Sequence, residues 1–342
     1  MSREYDFRIQ GHPSIYTKHR KPRKLNIFFS EPEQGVNKDT GILLLIAGYL
    51  HFSQMYLDMR KELSDKHNLI VVQCDYFGWE FMQRFEKETI HPKNETLDYF
   101  NDMSVMQALD NISALNAVIQ IIWDNGYHFN TKKIVIYGNS HGAYLAHLVN
   151  AFMPNVANMI IDNSSYLFPF YLDHDQIQMI DSNNTKKLLK IPAFIKKLKI
   201  DRKIIDLTFL YDQFANTSYL VVLQGEKDPI VSYKEKQSFF NKINYCSFIL
   251  VDKSNIDGHL FDSDYHGVSR DENFLVSRIL ESSSFGESNE LILKSKEYKT
   301  DQFIYKFDYT NFLPKLIIKT FCLSSIFNFD WIEEFCLGAL SY

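Results

Sequence analysis

The feature that most constrains the fold is a series of short apolar runs separated by segments of helical character. The runs lie at 42–48, 69–75, 133–137, 158–162, 218–224 and 247–252. The run at 42–48 is uninterrupted and ends in glycine. A strand buried on both faces of a parallel sheet has such a sequence, because each of its faces needs apolar side chains. The runs therefore predict the strands of a buried sheet.

The segments between these runs carry the helical period. The clearest one extends from about 98 to 123, where apolar residues recur every three or four positions, and Asn125-Gly126 follows it as a helix-ending signal. Further helices are predicted at 53–66, 143–151, 233–243 and 271–282. Strands that alternate with helices require parallel pairing with right-handed crossovers. We predict an α/β fold with a doubly wound, mostly parallel sheet, opened by a pair of strands at 4–10 and 24–29.

Two regions depart from the alternation. Residues 163–216 show no clear strand, several short helical patches and many lysines. They predict a helical lid inserted in a domain that covers residues 1–284. Residues 285–342 lack the alternation too, but they are too apolar to be disordered. They predict an extension that packs on the core or forms an interface, through which the chain could assemble as a homo-oligomer.

Composition narrows the classes of partner. The chain has 342 residues, of which 45% are hydrophobic, and a net charge of -5, so neither nucleic acid nor an anionic membrane is an expected partner. The longest apolar run, 42–50, is shorter than a membrane span, and the N-terminus lacks the apolar segment of a secretory signal. The four cysteines are scattered without metal-ligand spacing, and no phosphate loop occurs. We expect a cytoplasmic protein without stable membrane insertion, metal or cofactor.

The pentapeptide Gly138-Asn139-Ser140-His141-Gly142 follows one of the predicted buried strands and precedes a predicted helix. A sharp turn between a strand and a helix holds a serine in a strained conformation and exposes its Oγ at the edge of the sheet. The flanking glycines leave room where a Cβ would meet neighbouring backbone. The pattern predicts that Ser140 is a nucleophile.

A nucleophilic serine needs a base, and the base needs an acid that orients it. Asp228 follows the strand predicted at 218–224, and it is the predicted acid, with Glu226 and Asp252 as alternatives. His259 follows the next strand beside a glycine, and it is the predicted base, with His266 as the alternative. The order serine, acid, histidine is the one expected along an open α/β sheet.

An acyl-transfer site also needs donors for an oxyanion. The backbone N–H of His141, next to the nucleophile, is one predicted donor. The other is the N–H of Tyr49, after Gly48 in the loop that follows the first buried strand, with Leu50 as the alternative. Aromatic residues of the lid, among them Tyr166 and Phe168, either line a substrate pocket beside Gly48 or pack the lid onto the sheet.

Together these motifs resemble the α/β-hydrolase superfamily over residues 40–284. The elbow at 138–142, the acid loop at 225–228 and the histidine loop at 257–259 carry the resemblance, together with Asp75-Tyr76-Phe77-Gly78 and Ile46-Ala47-Gly48-Tyr49. Ala47 departs from the superfamily, whose members commonly have histidine or glycine there. The resemblance implies a Ser-His-Asp hydrolase fold but does not specify a substrate.

The aromatic-rich composition and the run at 105–110, which contains Met-Gln-Ala-Leu-Asp, also resemble an uncharacterised bacterial family. Its members tend to be encoded among surface-glycan and flagellin-modification genes, which implies a context rather than a reaction. The leading hypothesis is a serine esterase that acts on a small-molecule or glycan ester. The alternatives are an O-acyltransferase with the same triad and a non-catalytic interaction protein that keeps the fold.

Overall fold

A computed structural model describes residues 1–17, 22–82, 95–174 and 194–320, together with the backbone of 176–180 and 186–190. The strands are β1 Arg3–Gln10, β2 Lys24–Glu31, β3 Gly41–Ile46, β4 Leu69–Cys74, β5 Ile134–Asn139, β6 Met159–Asn163, β7 Gln176–Ile180, β8 Lys186–Lys190, β9 Tyr219–Gly225, β10 Cys246–Val251, β11 Lys296–Lys299, β12 Phe303–Asp308 and β13 Lys315–Thr320. The α-helices are α1 Leu57–His67, α2 Val105–Asp124, α3 His141–Phe152, α4 Leu207–Tyr211, α5 Tyr233–Phe240 and α6 Glu272–Glu281.

The main sheet has eight strands in the order β1-β2-β4-β3-β5-β6-β9-β10. β1 pairs antiparallel with β2, and β2 pairs antiparallel with β4, whereas the pairs from β4 across the sheet to β10 are parallel. β3 and β4 are buried along their whole length, as their uninterrupted apolar sequences require. The predicted doubly wound, mostly parallel sheet is confirmed.

Helices cover this sheet. α1 packs against β4 and α6, whereas α2 packs against β4 and α3. Among the described residues α2 is the one helix that is long and apolar enough to cross a membrane, and 89% of its apolar stretch is buried inside the protein. Its apolarity is therefore used in the core beneath the sheet. The predicted helix near 98 begins later, at Val105, because Asp102 accepts hydrogen bonds from the Ser104 and Met106 amides and fixes the turn before it.

The insertion at 163–216 contains strands, so the prediction of an insertion with no clear strand was wrong. β7 and β8 pair antiparallel in a two-stranded sheet of their own. Short 3-10 helices at Phe170–Leu172, Phe194–Lys197 and Lys203–Ile205 and the brief α4 make up the rest of its described structure. A small hairpin sheet does not need the long apolar runs of a strand buried on both faces, and β8 carries three lysines. The sequence rule for buried strands could not detect it.

The described part of the C-terminal extension forms a sheet in the order β11-β12-β13, which the sequence analysis did not predict. Its inward residues pack on α3: Phe307 stacks on Phe152 with ring centroids 4.1 Å apart. The hydroxyl of Tyr298 donates to the Ala151 carbonyl at 2.6 Å. Residues 321–342 of the predicted extension lie outside the described residues.

Candidate active site

The nucleophile elbow joins β5 to α3. Ser140 has φ 55° and ψ -116°, a conformation that side-chain-bearing residues rarely adopt. Its amide donates to the Asn163 carbonyl at 2.7 Å, and its carbonyl accepts from the Tyr144 amide at 3.1 Å. These bonds hold the turn, and they place Ser140 directly before the N-terminus of α3.

Glycine is required on both sides of this turn. A Cβ on Gly138 would overlap the backbone of Gly142, and a Cβ on Gly142 would overlap the carbonyl oxygen of Ile46. The backbones of β5, α3 and β3 are therefore in direct contact here, with no room for a side chain. This contact explains why glycines flank the serine at 138 and 142.

Ser140, His266 and Asp228 form a continuous chain of hydrogen bonds. The Oγ of Ser140 lies 2.7 Å from Nε2 of His266. The Nδ1 of His266 lies 2.7 Å from Oδ2 of Asp228. Because a carboxylate can only accept, Nδ1 donates to Asp228, which leaves Nε2 oriented to accept the proton of the serine hydroxyl.

The carboxylate of Asp228 is fully buried. Burial by itself raises the pKa of this carboxyl, but His266, the Ile230 amide and the Gln224 side chain outweigh burial and hold the pKa below its usual value. The amides of Ile230 and Val231 donate to Oδ1, while the Gln224 amide donates to Oδ2 at 2.8 Å. Asp228 is thus an anchored, ionised acceptor for the imidazole.

The alternative acids lie elsewhere. Glu226 is exposed, and the carboxylate of Asp252 is bonded to Ser254 in its own turn. The structure therefore places Asp228, the predicted acid, beside the imidazole.

The structure brings His266, the alternative base, to Ser140 and Asp228 in place of the predicted His259. His259 is exposed, and its amide donates to Asp257, whose carboxylate also accepts from the amides of Leu260 and Phe261. Asp257 and Gly258 thus belong to an exposed turn. The loop returns to the sheet later, where the Lys227 amide donates to the Asp264 carbonyl at 2.7 Å.

The return of the loop explains why the later histidine reaches the serine. A Cβ on Gly225, at the end of β9, would overlap the carbonyl of Tyr265, so the loop lies directly against the acid strand just before His266. His266 is followed by Gly267, which has φ 76°. An adjacent glycine was the signal that favoured His259, but it occurs beside both histidines.

The loop after β3 lies against the elbow. A Cβ on Gly48 would be 2.7 Å from the Asn139 carbonyl oxygen and 4.0 Å from Cβ of Ser140. The Leu50 amide donates to the Met82 carbonyl at 3.1 Å, so this alternative oxyanion donor is engaged. Within the described part of the chain, the Tyr49 and His141 amides have no hydrogen-bond acceptor. His141 directly follows the nucleophile and Tyr49 directly follows Gly48, and the role of their amides as oxyanion donors stays a prediction.

Ala47, the departure from the superfamily pattern, has a defined backbone contact. The buried hydroxyl of Tyr76 donates to the Ala47 carbonyl at 2.8 Å. This bond orients the peptide that leads into Gly48 without help from a side chain at position 47.

The side chain of His141 is buried beneath the elbow. Burial lowers its pKa to about 3, so the imidazole is neutral near pH 7. The Gln107 amide nitrogen donates to the Phe77 carbonyl and to Asn101. The Gln107 oxygen therefore accepts from Nε2 of His141 at 2.6 Å, and Nδ1 accepts from the Tyr166 hydroxyl. Sequence reasoning missed Gln107, which no local motif marks.

The two aromatic residues predicted to bind substrate differ in position. Tyr166 is 4% exposed, and its hydroxyl contacts His141, so it packs the start of the insertion under the elbow. Phe168 is half-buried, and the Arg202 guanidinium lies 4.5 Å above its ring. Tyr166 fits the packing alternative, and Phe168 packs partly against the core and contacts Arg202 within the insertion.

Comparison with solved structures places this geometry in a known architecture. A solved arylesterase aligns with a TM-score of 0.50 and 12% identity, over 82% of this chain and 83% of that protein. A fungal esterase from Rhizomucor miehei aligns with a TM-score of 0.50 and 11% identity, over 82% of each chain. The fold is that of the α/β-hydrolases. Ser140, Asp228 and His266 follow β5, β9 and β10, which is the chain order of serine, acid and histidine typical of that fold.

The sequence comparisons are less specific. A family described as "Protein of unknown function (DUF2920)" matches residues 78–191, a segment that contains the elbow and the beginning of the insertion. No curated protein matches the chain.

Proposed function

We propose that this protein is a serine hydrolase that cleaves carboxylic esters through an acyl-enzyme intermediate. The observation that carries the proposal is the chain of two 2.7 Å contacts from Ser140 through His266 to Asp228, built on a strained elbow. A hydroxyl, an imidazole and a carboxylate in this arrangement are the parts that nucleophilic acyl transfer needs.

The first half of the reaction forms the acyl-enzyme. Ser140 Oγ attacks the ester carbonyl carbon while Nε2 of His266 takes the hydroxyl proton, and Asp228 stabilises the imidazolium. The amides of His141 and Tyr49 donate to the oxyanion of the tetrahedral intermediate. When the intermediate collapses, the bond to the leaving alkoxy group breaks, and His266 returns the proton to the alcohol.

The second half releases the acid. Water attacks the acyl carbon as His266 takes its proton, and the same two amides bind the second oxyanion. Collapse expels Ser140 Oγ, which regains its proton from the imidazolium. The esters to examine first are small acyl esters and O-acetylated sugars, the substrate classes predicted from the sequence.

A fluorophosphonate probe tests the proposal, because it reacts with an activated serine. We expect mass spectrometry to find the probe on Ser140, and Ser140→Ala to abolish both labelling and p-nitrophenyl ester turnover. Ser165→Ala is the matched control, since Ser165 is a buried serine whose hydroxyl donates to Asp162 rather than contacting His266. Well-folded wild type that neither labels nor turns over esters contradicts the proposal.

A further inference from the structure

The imidazole of His266 lies over the end of a strand that carries none of the triad. In the sheet β6 is the neighbour of β5 on one side and of β9 on the other. Ser140 follows β5 and Asp228 follows β9, and neighbouring strands are about 4.8 Å apart, so a base that bridges them has to cross the carboxyl end of β6. The residues at that end are Asn163 and Ser164.

These two residues bind the backbone immediately after the base. The Gly267 amide donates to Oγ of Ser164 at 3.0 Å, and the Val268 amide donates to Oδ1 of Asn163 at 3.2 Å. The Ser164 hydroxyl in turn donates to Oδ1 of Asn163 at 3.2 Å. Both residues are fully buried, so water does not compete for these bonds.

Asn163 also contacts the nucleophile. Its carbonyl accepts from the Ser140 amide at 2.7 Å. One residue therefore binds the elbow through its backbone and the histidine loop through its side chain, which fixes the distance between the two reacting groups.

The backbone of Ser164 is held in an uncommon conformation. It has φ 66°, and its amide donates to the Leu223 carbonyl of β9 at 3.0 Å. A residue with a side chain rarely adopts this region, and strain of this kind is concentrated at functional sites. In this conformation the hydroxyl of Ser164 meets the Gly267 amide.

We propose that Asn163 and Ser164 are positioning residues that hold the His266 imidazole in line with Ser140, an inference that rests on the proposed function. They contact neither the substrate nor the reacting atoms. Their effect is on the alignment of Nε2 with Oγ, and hence on the rate of proton transfer.

Ser164→Ala removes the acceptor for the Gly267 amide without adding volume. We expect kcat to fall about 10- to 100-fold, because a misplacement of about 1 Å can cost about 100-fold in rate. KM should change less than about twofold, since ground-state contacts to the ester remain. Ser165→Ala is the matched control, because it also removes a buried serine hydroxyl from this segment. The Ser165 amide and hydroxyl donate to Asp162, so this variant should retain kcat.

A readout independent of turnover separates this inference from the proposed function. The proton between His266 Nδ1 and Asp228 gives a far-downfield NMR resonance when the pair is aligned. Ser164→Ala should broaden or shift that resonance, and Ser165→Ala should preserve it. If wild type shows the resonance but neither labels nor turns over esters, the proposed function fails while the positioning role is still measured.

Asn163 provides a conservative rescue. Within the described residues its Nδ2 has no close hydrogen-bond partner, although the side chain interacts with the Tyr137 hydroxyl, so Asn163→Asp keeps the Oδ1 acceptor and alters only the side of the amide nitrogen. Asn163→Leu has a similar size and no acceptor. We expect Asn163→Asp to retain more kcat and more of the downfield resonance than Asn163→Leu. Unchanged kcat and resonance in Ser164→Ala, or equal values for the two Asn163 variants, would overturn the inference.

Discussion

The protein has two histidine–aspartate pairs whose aspartates lie at the carboxyl ends of the neighbouring strands β6 and β9, and the two pairs have different surroundings. His266 and Asp228 lie 2.7 Å apart, and the His266 side chain remains 15% exposed. His147 and Asp162 lie 3.1 Å apart, and both side chains are completely buried. The first pair ends at the hydroxyl of Ser140, which is half-buried on a strained turn.

The second pair is closed at both ends. The Nδ1 of His147 meets the Tyr211 hydroxyl at 2.7 Å, and the Lys236 ammonium lies 3.1 Å from Asp162. Burial tends to raise the pKa of Asp162, but Lys236 and His147 outweigh burial and lower it. The same two residue types thus have different neighbours in the two pairs. His266 and Asp228 lead to the partly exposed hydroxyl of Ser140, whereas His147 and Asp162 form a buried cluster with Tyr211 and Lys236.

Replacement of His266 has the largest expected effect. His266→Ala should lower kcat/KM by on the order of 10⁴ to 10⁶, the scale found when a triad base is removed. His259→Ala is the control from the same loop, and its exposed side chain predicts unchanged kinetics. Ester turnover and the rate of fluorophosphonate labelling measure both variants. A large loss in His259→Ala with normal His266→Ala would restore the sequence-based choice of base.

The sequence predicted the position of Ser140 and Asp228 better than that of the base. Ser140 and Asp228 closely follow strands with a strong apolar signal, so their place at the sheet edge depends on nearby residues. The loop between Val251 and Glu272 contains Gly258-His259 and His266-Gly267, which are locally equivalent. The choice depends on long-range contacts, such as that of the Gly267 amide with Ser164, and no local pattern encodes them.

A similar limit applies to the fold. Strands buried on both faces, such as β3 and β4, have uninterrupted apolar sequences, and they were predicted from that signal. β12 buries only alternate residues, among them Tyr305 and Phe307, and its intervening positions are polar or partly exposed. The strands of the C-terminal extension and the self-paired strands β7 and β8 therefore escaped prediction, whereas the strands of the main sheet did not.

Replacement of the buried Lys236 has the next largest expected effect, and this effect is on the stability of the fold. Lys236→Met leaves the Asp162 carboxylate buried without its ammonium partner, so we expect a loss of about 3–5 kcal/mol in the free energy of unfolding. Lys234→Met, on an exposed position of the same helix, should change it by less than about 0.5 kcal/mol. Urea unfolding followed by fluorescence measures both. Equal stability of the two variants would show that Asp162 does not depend on Lys236.

The smallest expected effect is in the pH dependence of stability. Because the folded-state pKa of Asp162 is lowered, the folded protein binds fewer protons there than the unfolded chain, whose carboxyl has a pKa of about 3.9. The stabilisation that ionised Asp162 contributes is fully present above a pH of about 3.9, and it is lost as the pH falls through the folded-state pKa.

The double variant Asp162→Asn/Lys236→Met removes both charges, so its free energy of unfolding should fall less steeply than that of wild type between about pH 5 and pH 2. Asp228 remains in both proteins, and its lowered pKa contributes equally to the two curves. Urea titrations at a series of pH values therefore isolate the buried pair, and parallel curves would show that the ionisation of Asp162 is not coupled to folding.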